Sequence, residues 1–250
     1  MPCILITGGT GKFGRQFVRY FVRAGWQVVY TTTSLSLAEE SYKDYPELQK
    51  AYGIEIDLVA DDATRNLLVA LREQSLCINH LVNNARSLRS LRVDDGGLSD
   101  RQDMMDEYLL GVVVPYELAI KISQSSSHDL KNIVNIGSMY GLVAPNPALY
   151  EGTLKNSPIQ YGVTKAALHH LTRELAVRLS PNKIRVNCVA YGGVEGRVDD
   201  AFQDRYAALA PSRRMLSEDE IVGPVYFLLN DSSSAVKGHV LVADGGWSIW

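Results

Sequence analysis

The sequence predicts an α/β fold of the doubly wound Rossmann type, a seven-stranded parallel sheet flanked by helices in a single domain, 1–250. Short apolar runs alternate with amphipathic stretches from end to end, as they do in repeated βαβ units. The first apolar run leads directly into a glycine-rich turn that opens a helix. With 250 residues, of which 46% are hydrophobic, the chain can bury the core that this fold requires.

The seven predicted strands are short apolar runs bounded by turn residues. They lie at 3–7, 27–32, 54–58, 80–83, 132–136, 184–189 and 239–242. The six predicted helices are amphipathic stretches near 13–24, 37–52, 62–76, 100–125, 160–179 and 217–230. Ser217 and Glu220 fit a capping box, so the last helix should begin there. Pro181 should end the predicted helix near 160–179.

Two segments are predicted to be irregular and a third to be flexible. The stretch 195–216 is expected to be flexible. The stretches 87–97 and 144–158 follow strand ends, which is where open α/β sheets bind ligands. We therefore expect these last two to form walls of a site.

Composition argues against several classes of function. A formal charge of −3 and the lack of a basic run disfavour nucleic acid as a partner. The N-terminal apolar run is too short for a signal peptide core or a membrane span. Cys3, Cys77 and Cys188 are odd in number and stand in apolar contexts, which predicts buried thiols in a reducing cytoplasm. No metal is predicted.

The turn at 7–14 is a candidate phosphate-binding loop. Its glycines let the backbone approach a pyrophosphate, whose charge is favoured at a helix N-terminus. The alternative is a tight turn that binds nothing. The predicted cofactor contacts in this loop are Gly8, Gly11, Lys12, Phe13 and Gly14.

The second strand ends in hydroxyl residues, and this favours NADP(H) over NAD(H). A carboxylate there would repel a 2′-phosphate, whereas Thr32 can donate a hydrogen bond to one, and Lys12 or Arg15 could lie near it. Alternatively, Thr32 binds the ribose of NAD(H). Asp57, followed by Leu58, could accept a hydrogen bond from the adenine amine or could simply cap a turn.

Tyr161 and Lys165 are four residues apart, so they share one face of the predicted helix. An ammonium group beside a phenol favours the phenolate form. Such a pair is suited to exchanging a proton with an alcohol or a carbonyl group.

Together these residues resemble the short-chain dehydrogenase/reductase family, and the resemblance covers essentially the whole chain. Beyond the glycine turn and the Tyr161–Lys165 pair, its motifs are Asn83-Asn84-Ala85, Asn135-Ile136-Gly137-Ser138, Ile184-Arg185-Val186-Asn187 and Asp244-Gly245-Gly246. The resemblance implies cofactor contacts at Asn84, Ala85, Tyr161, Lys165 and Val194.

The resemblance also implies catalytic roles. Tyr161 would exchange a proton with the substrate oxygen, Lys165 would favour its phenolate and hold the nicotinamide ribose, and Ser138 would hydrogen-bond the substrate oxygen. The alternative for Ser138 is that its hydroxyl only caps a turn.

The chain departs from the family pattern at several positions. The spacing TGxxGxxG is typical of the extended branch, whose members often act on nucleotide sugars. Arg86 replaces a glycine and brings a cation near the mouth of the cofactor or substrate site. Tyr108 stands in place of an asparagine that holds a proton-relay water, and Tyr191 in place of a proline before Val194.

An insertion separates Ser138 from Tyr161, which lie 23 positions apart. It resembles a subgroup found with bacterial surface-glycan and nonulosonic-acid pathways, which implies a sugar-linked substrate. Tyr150, Glu151 and Thr153 could hydrogen-bond a polyol, or the loop could merely be packed.

The sequence thus predicts a cytoplasmic NAD(P)-dependent oxidoreductase that interconverts a secondary alcohol and a carbonyl compound. The alternatives are a sugar epimerase or dehydratase that retains its cofactor, and a non-catalytic binding or scaffold protein. A homodimer or homotetramer is expected, with Trp247 and Trp250 either at a subunit interface or in the core. No membrane association is expected.

Overall fold

Seven parallel strands form one sheet in the computed structural model, which describes residues 1–43, 45–87, 100–150, 157–196 and 198–250, apart from the side chains of Leu37 and Ser41. The strands are β1 Cys3–Ile6, β2 Gln27–Thr32, β3 Tyr52–Glu55, β4 His80–Asn83, β5 Asn132–Ser138, β6 Arg185–Tyr191 and β7 Val240–Ala243. Their order across the sheet is β3-β2-β1-β4-β5-β6-β7. The predicted fold class is confirmed.

The helices lie on both faces of this sheet. They are α1 Lys12–Arg23, α2 Leu35–Tyr42, α3 Ala63–Glu73, α4 Arg101–Tyr108, α5 Val114–Gln124, α6 Ile159–Arg178, α7 Asp200–Leu209 and α8 Val222–Leu229. On one face, α3, α5 and α6 bury residues such as Leu67, Leu118 and Leu175. On the other, α1 and α8 bury Phe17 and Val225. Burial of these apolar surfaces on two sides holds the layers together.

The order of the strands creates a switch point between β1 and β4. β1 pairs with β2 on one side and with β4 on the other. The chain therefore leaves the carboxyl ends of β1 and β4 in opposite directions, which opens a crevice there. Ligands of doubly wound folds bind in such a crevice.

Several elements differ from the prediction. The third strand is Tyr52–Glu55 and not 54–58, because Asp57 turns the chain by accepting a hydrogen bond from Val59 N at 3.1 Å. The predicted helix 37–52 is divided into α2 and a short 3₁₀ turn, Pro46–Lys50, that begins at the proline. The segment 195–216 contains α7, whose N-cap Asp199 accepts a hydrogen bond from Phe202 N.

Two predicted helix boundaries are confirmed. Ser217 and Glu220 form the predicted capping box at a 3₁₀ turn that leads into α8. α6 ends at Arg178, just before Ser180-Pro181.

The predicted helix 100–125 is interrupted by a π-helical turn, Leu109–Val113, between α4 and α5. Pro115 has no N–H group to donate to the carbonyl four residues earlier, which disfavours continuous α-helix at this point. Gly111 in this turn lies against α6: a Cβ atom there would come within 2.2 Å of Thr164 Cγ2. Only a glycine allows the two helices to approach this closely, and Thr164 is the neighbour of Lys165.

Candidate active site

The glycine turn between β1 and α1 forms the first wall of the crevice. Gly8 has a positive φ of 68°, and a Cβ atom there would lie 3.0 Å from the Cα of Ala85. Gly11 is the N-cap of α1, and no side chain caps this helix end. The backbone N–H groups of such a helix start are suited to binding an anion.

The residues after β4 are hydrogen-bonded to this turn. Asn84 donates side-chain hydrogen bonds to the carbonyls of Thr7 and Gly8 at 2.9 and 3.0 Å. The backbone N–H groups of Asn84 and Ala85 both donate to Thr7 Oγ1. The amide of Asn84 therefore fixes the shape of the cradle and presents the following residue, Arg86, to the crevice.

Lys12, the first residue of α1, reaches across the crevice. Its Nζ donates to the carbonyls of Val194, at 3.0 Å, and Glu195. Arg15 pairs with Glu218 at 3.2 Å. Both side chains therefore have partners in the part of the chain that follows β6.

The end of β2 carries hydroxyl groups and a nearby carboxylate. Thr32 Oγ1 lies 3.2 Å from Thr10 Oγ1 and also donates to Ser34 O. Glu55 is the register partner of Thr32, and its carboxylate accepts a hydrogen bond from Leu35 N at 2.7 Å. Sequence reasoning missed Glu55 because it considered acids on β2 alone, although the neighbouring strand ends at the same edge.

Asp57 and Leu58 lie just beyond β3. The Asp57 carboxylate caps the turn through Val59 N, so the capping alternative describes its contact in the structure. Leu58 is buried in the core with Ile54. Its side chain packs inside the molecule, so any contact of Leu58 with a cofactor would come from its backbone.

Ser138, Tyr161 and Lys165 come from two adjacent elements. Ser138 ends β5, and its hydroxyl accepts a hydrogen bond from Tyr140 N at 3.2 Å, so it does cap a turn. α6 packs against this turn, since a Cβ atom at Gly162 would lie 3.1 Å from Tyr140 O. The buried Lys165 Nζ lies 5.6 Å from the centre of the Tyr161 ring and donates to Ile136 O at 2.8 Å.

Arg86 covers the ring of Tyr161. Its guanidinium carbon lies 4.3 Å from the ring centre, within the range of a cation–π contact. The Nε and Nη2 atoms of Arg86 are buried, and neither has a hydrogen-bond partner among the described residues. The sequence indicated a cation near the mouth of the site but not its contact with Tyr161.

Three further tyrosines lie on the segment after β5 and on α7. The hydroxyls of Tyr140 and Tyr150 are 2.8 Å apart. Burial, together with Tyr150, raises the pKa of Tyr140. Tyr206 on α7 accepts a hydrogen bond from Gly193 N and stacks on Trp247, and burial raises its pKa to about 12. Tyr206 was missed because α7 was missed.

The two adjacent histidines of α6 have different surroundings. His170 is exposed and lies 3.8 Å from Glu174. His169 is buried one turn after Lys165, with its ring against Gly137 and Gly141. Burial and the nearby Lys165 charge lower the pKa of His169 to about 4, so the ring is neutral. Neither ring nitrogen has a hydrogen-bond partner in the described part of the chain.

The remaining predicted positions are divided between core and surface. Tyr191 is buried, donates its hydroxyl to Ile221 O and packs edge-on against Phe13. Tyr108 is exposed on α4. Trp247 is buried, whereas Trp250 is 75% exposed. Glu151 and Thr153 lie outside the described residues.

Cys3 and Cys188 are buried free thiols as expected, but Cys77 is exposed, so that part of the prediction is wrong. Within the described ranges, no cluster of acidic, histidine and cysteine side chains could hold a metal ion. None of the described helices combines the length and the apolar character needed to cross a bilayer.

These residues fit a nicotinamide dinucleotide. The close approach of Gly8 to Ala85 leaves a cradle without side chains at the switch point. The uncapped start of α1 offers N–H groups to a pyrophosphate. Tyr161 and Lys165 stand at the other end of the same crevice.

Comparison with known proteins agrees with this geometry. A family model described as Enoyl-(Acyl carrier protein) reductase matches residues 12–248. The chain is 34% identical over 147 residues to post-translational flagellin modification protein A of Campylobacter coli, a match covering 59% of this chain and 57% of that protein. It is 27% identical over 250 residues to the 3-oxoacyl-(acyl-carrier-protein) reductase FabG of Aquifex aeolicus, covering 97% and 95%.

Among solved structures, a short-chain dehydrogenase from Leptospira borgpetersenii with bound NAD⁺ is similar at a TM-score of 0.84 and 25% identity, covering 99% of this chain and 92% of that one. The family model spans nearly all of this sequence. The chain belongs to the short-chain dehydrogenase/reductase family of nicotinamide-dependent oxidoreductases.

Proposed function

We propose that the chain, as one domain of residues 1–250, interconverts a secondary alcohol and a carbonyl compound. The observation that carries this proposal is the placement of Lys165 beside the Tyr161 ring, against the turn that Ser138 begins. A bound nicotinamide supplies or accepts the hydride. The protein supplies the proton and the polar contacts.

Tyr161 is the proposed acid and base. Its hydroxyl donates a proton to the carbonyl oxygen during reduction and accepts one from the alcohol during oxidation. The hydrogen bond from Lys165 Nζ to Ile136 O anchors the ammonium near the ring.

Ser138 is the proposed donor to the substrate oxygen. Its hydroxyl already accepts a hydrogen bond from Tyr140 N, and this contact orients the Oγ atom. The hydroxyl hydrogen can then point to an oxygen on which negative charge develops.

Replacement of Tyr161 by Phe tests this function. We expect turnover to fall by about 100-fold or more, because the proton donor is lost. The dissociation constant of the cofactor, measured by calorimetry, should change little. Tyr116→Phe, at an exposed tyrosine of α5, is the matched control and should leave turnover intact.

The same assay separates the alternatives. A cofactor-retaining epimerase would convert substrate without net change in the absorbance of the reduced nicotinamide. A scaffold protein would show no turnover that depends on Tyr161. Either result would replace the oxidoreductase proposal.

For the cofactor, we infer a preference for NADP(H) over NAD(H), supported by the absence of an acid at the end of β2. Glu55 opposes this preference because its negative charge lies beside Thr32. We expect Glu55→Gln to tighten NADPH binding several-fold, by about 0.5–1 kcal/mol, and to leave NADH binding nearly unchanged. Calorimetric titration with both nucleotides measures this. Tighter binding of NADH by the wild-type protein would refute the preference.

The substrate we propose is linked to a sugar. The relative named for flagellin modification supports a role in a modification pathway. The hydroxyls of Tyr140 and Tyr150 offer neutral donors and acceptors that suit a polyol. A panel of carbonyl sugars, each compared with a simple ketone, tests the assignment.

We also propose a homodimer or homotetramer in the cytoplasm. The free thiols support a reducing compartment. Ile249 and Trp250 are each 75% exposed at the C-terminus, and Val163 is 63% exposed on α6. Apolar side chains this exposed favour contact with another subunit.

A further inference from the structure

We propose that Arg86 binds a carboxylate of the substrate close to the reacting carbonyl, so that the substrate is an oxo or hydroxy acid. This inference rests on the proposed function and narrows its substrate class. It starts from the two unpartnered nitrogen atoms of Arg86 at the ring of Tyr161.

The position of Arg86 is fixed at its backbone. Asn84 and Ala85, which precede it, hold Thr7 and Gly8 through hydrogen bonds of 2.9 to 3.0 Å. Arg86 therefore leaves the dinucleotide cradle at a defined point. Its guanidinium group lies over the ring of Tyr161, the proposed proton donor, which the substrate must approach.

The contact with Tyr161 does not satisfy the N–H groups of Arg86. The guanidinium carbon lies over the Tyr161 ring, 4.3 Å from the ring centre. A cation–π contact attracts the charge but supplies no oxygen or nitrogen acceptor, so the N–H groups still need hydrogen-bond partners.

The two unpartnered atoms, Nε and Nη2, belong to one edge. Two parallel N–H groups on such an edge match the two oxygens of a carboxylate. Buried donors without acceptors are costly, and two on one guanidinium are unusual. A carboxylate would satisfy both at once, and a charge-assisted pair is the strongest hydrogen bond available there.

No carboxylate of the described chain takes this role. The acidic side chains near the glycine turn are engaged elsewhere: Glu218 with Arg15 and Gln16, and Glu55 with Leu35 N. An oxyanion could also come from the phosphates of the cofactor, so cofactor and substrate binding must be measured separately.

The probes are acetoacetate and its methyl ester, which differ in a single negative charge beside the same ketone. Each is titrated calorimetrically into the protein saturated with oxidised cofactor, where a ketone cannot be reduced. We expect the wild-type protein to bind acetoacetate about tenfold or more tightly than the ester. Arg86→Gln should remove this difference, and Arg86→Lys should restore part of it.

Arg19→Gln is the matched control. Arg19 also stacks on a tyrosine, with its guanidinium carbon 4.4 Å from the Tyr45 ring centre, and its Nε is likewise buried without a described partner. It lies on α1 away from Tyr161, so its replacement should leave the preference for acetoacetate unchanged. An equal loss in both variants would assign the effect to protein stability and overturn the proposal.

Other outcomes decide between sources of the anion. If Arg86→Gln weakens cofactor binding and leaves the acetoacetate preference intact, Arg86 serves a cofactor phosphate and the proposal is wrong. Equal binding of the two probes by the wild-type protein would also reject it. Because these titrations need no turnover, failure of the oxidoreductase reaction itself would be seen separately, in the Tyr161→Phe assay.

Discussion

At the residue scale, the candidate reacting groups could be named from the sequence, but their surroundings could not. Tyr161 and Lys165 are recognisable from their spacing, because four residues make about one helical turn. Ser138 is recognisable from the family motif that it ends. The contact between Arg86 and Tyr161 joins a loop and a helix 75 positions apart in the sequence. Periodicity carries no information about such a contact.

The buried His169 predicts how stability depends on pH. Its pKa is about 4 in the folded protein, against about 6.5 when unfolded, so the unfolded chain binds more protons between these values. Stability should therefore fall as the pH is lowered from 6.5 to 4, by roughly 1.4 kcal/mol per pH unit from this one group. Urea unfolding across this range measures the slope.

Two variants identify the group responsible. His169→Gln should reduce the slope, with His80, whose pKa burial also lowers to about 4, accounting for part of what remains. His170→Gln should not alter it, because His170 is exposed. An unchanged slope in His169→Gln would contradict the assignment.

At the element scale, long apolar or amphipathic segments were predictable and their interruptions were not. All seven predicted strands are present, and five of them are almost entirely buried, whereas β3 and β7 are not. The sequence predicts a flexible segment where α7 lies, although Asp199 is a good N-cap residue. The π-helical turn depends on how α6 packs at Gly111, which is a tertiary contact.

This turn yields a prediction for Gly111→Ala. The new Cβ atom would lie 2.2 Å from Thr164 Cγ2, so α6 must shift beside Lys165. We expect a loss of about 1–3 kcal/mol in the free energy of unfolding, together with lower turnover. Chemical denaturation and steady-state kinetics provide the two measurements.

A second substitution relieves the clash between residues 111 and 164, and another glycine serves as a control. Thr164→Ser removes the Cγ2 atom, so the double variant should regain most of the lost stability. Gly223→Ala on α8, where a Cβ atom would meet nothing within 4 Å, should be neutral or slightly stabilising. Additive losses in the double variant would show that the contact is not the cause.

At the scale of the whole molecule, the fold could be predicted because its signals recur along the chain. Contacts between segments far apart in the sequence could not, since they form only in the folded protein, as in the 3.0 Å hydrogen bond from Arg205 Nε to Leu149 O. The glycine turn was predictable as a candidate phosphate-binding loop, while the partners of Lys12 and Arg15 were not.

Subunit association is the prediction at this scale. Val163→Glu places a charge on the exposed apolar face of α6, and we expect it to shift a dimer or tetramer towards smaller species. Val69→Glu, the same change at an exposed valine of α3, should have no such effect. Light scattering coupled to size-exclusion chromatography measures the mass. A monomeric wild-type protein would refute the prediction at once.

The link from Lys12 to Val194 and Glu195 has a consequence for biosynthesis. These partners lie 182 and 183 positions after Lys12 in the sequence, so they are synthesised much later than the first residue of α1. A nascent chain can form β1 and α1 early, but this side of the nucleotide crevice closes only after Val194 and Glu195 have been translated. Truncated chains released before β6 would therefore carry an open, unfinished crevice.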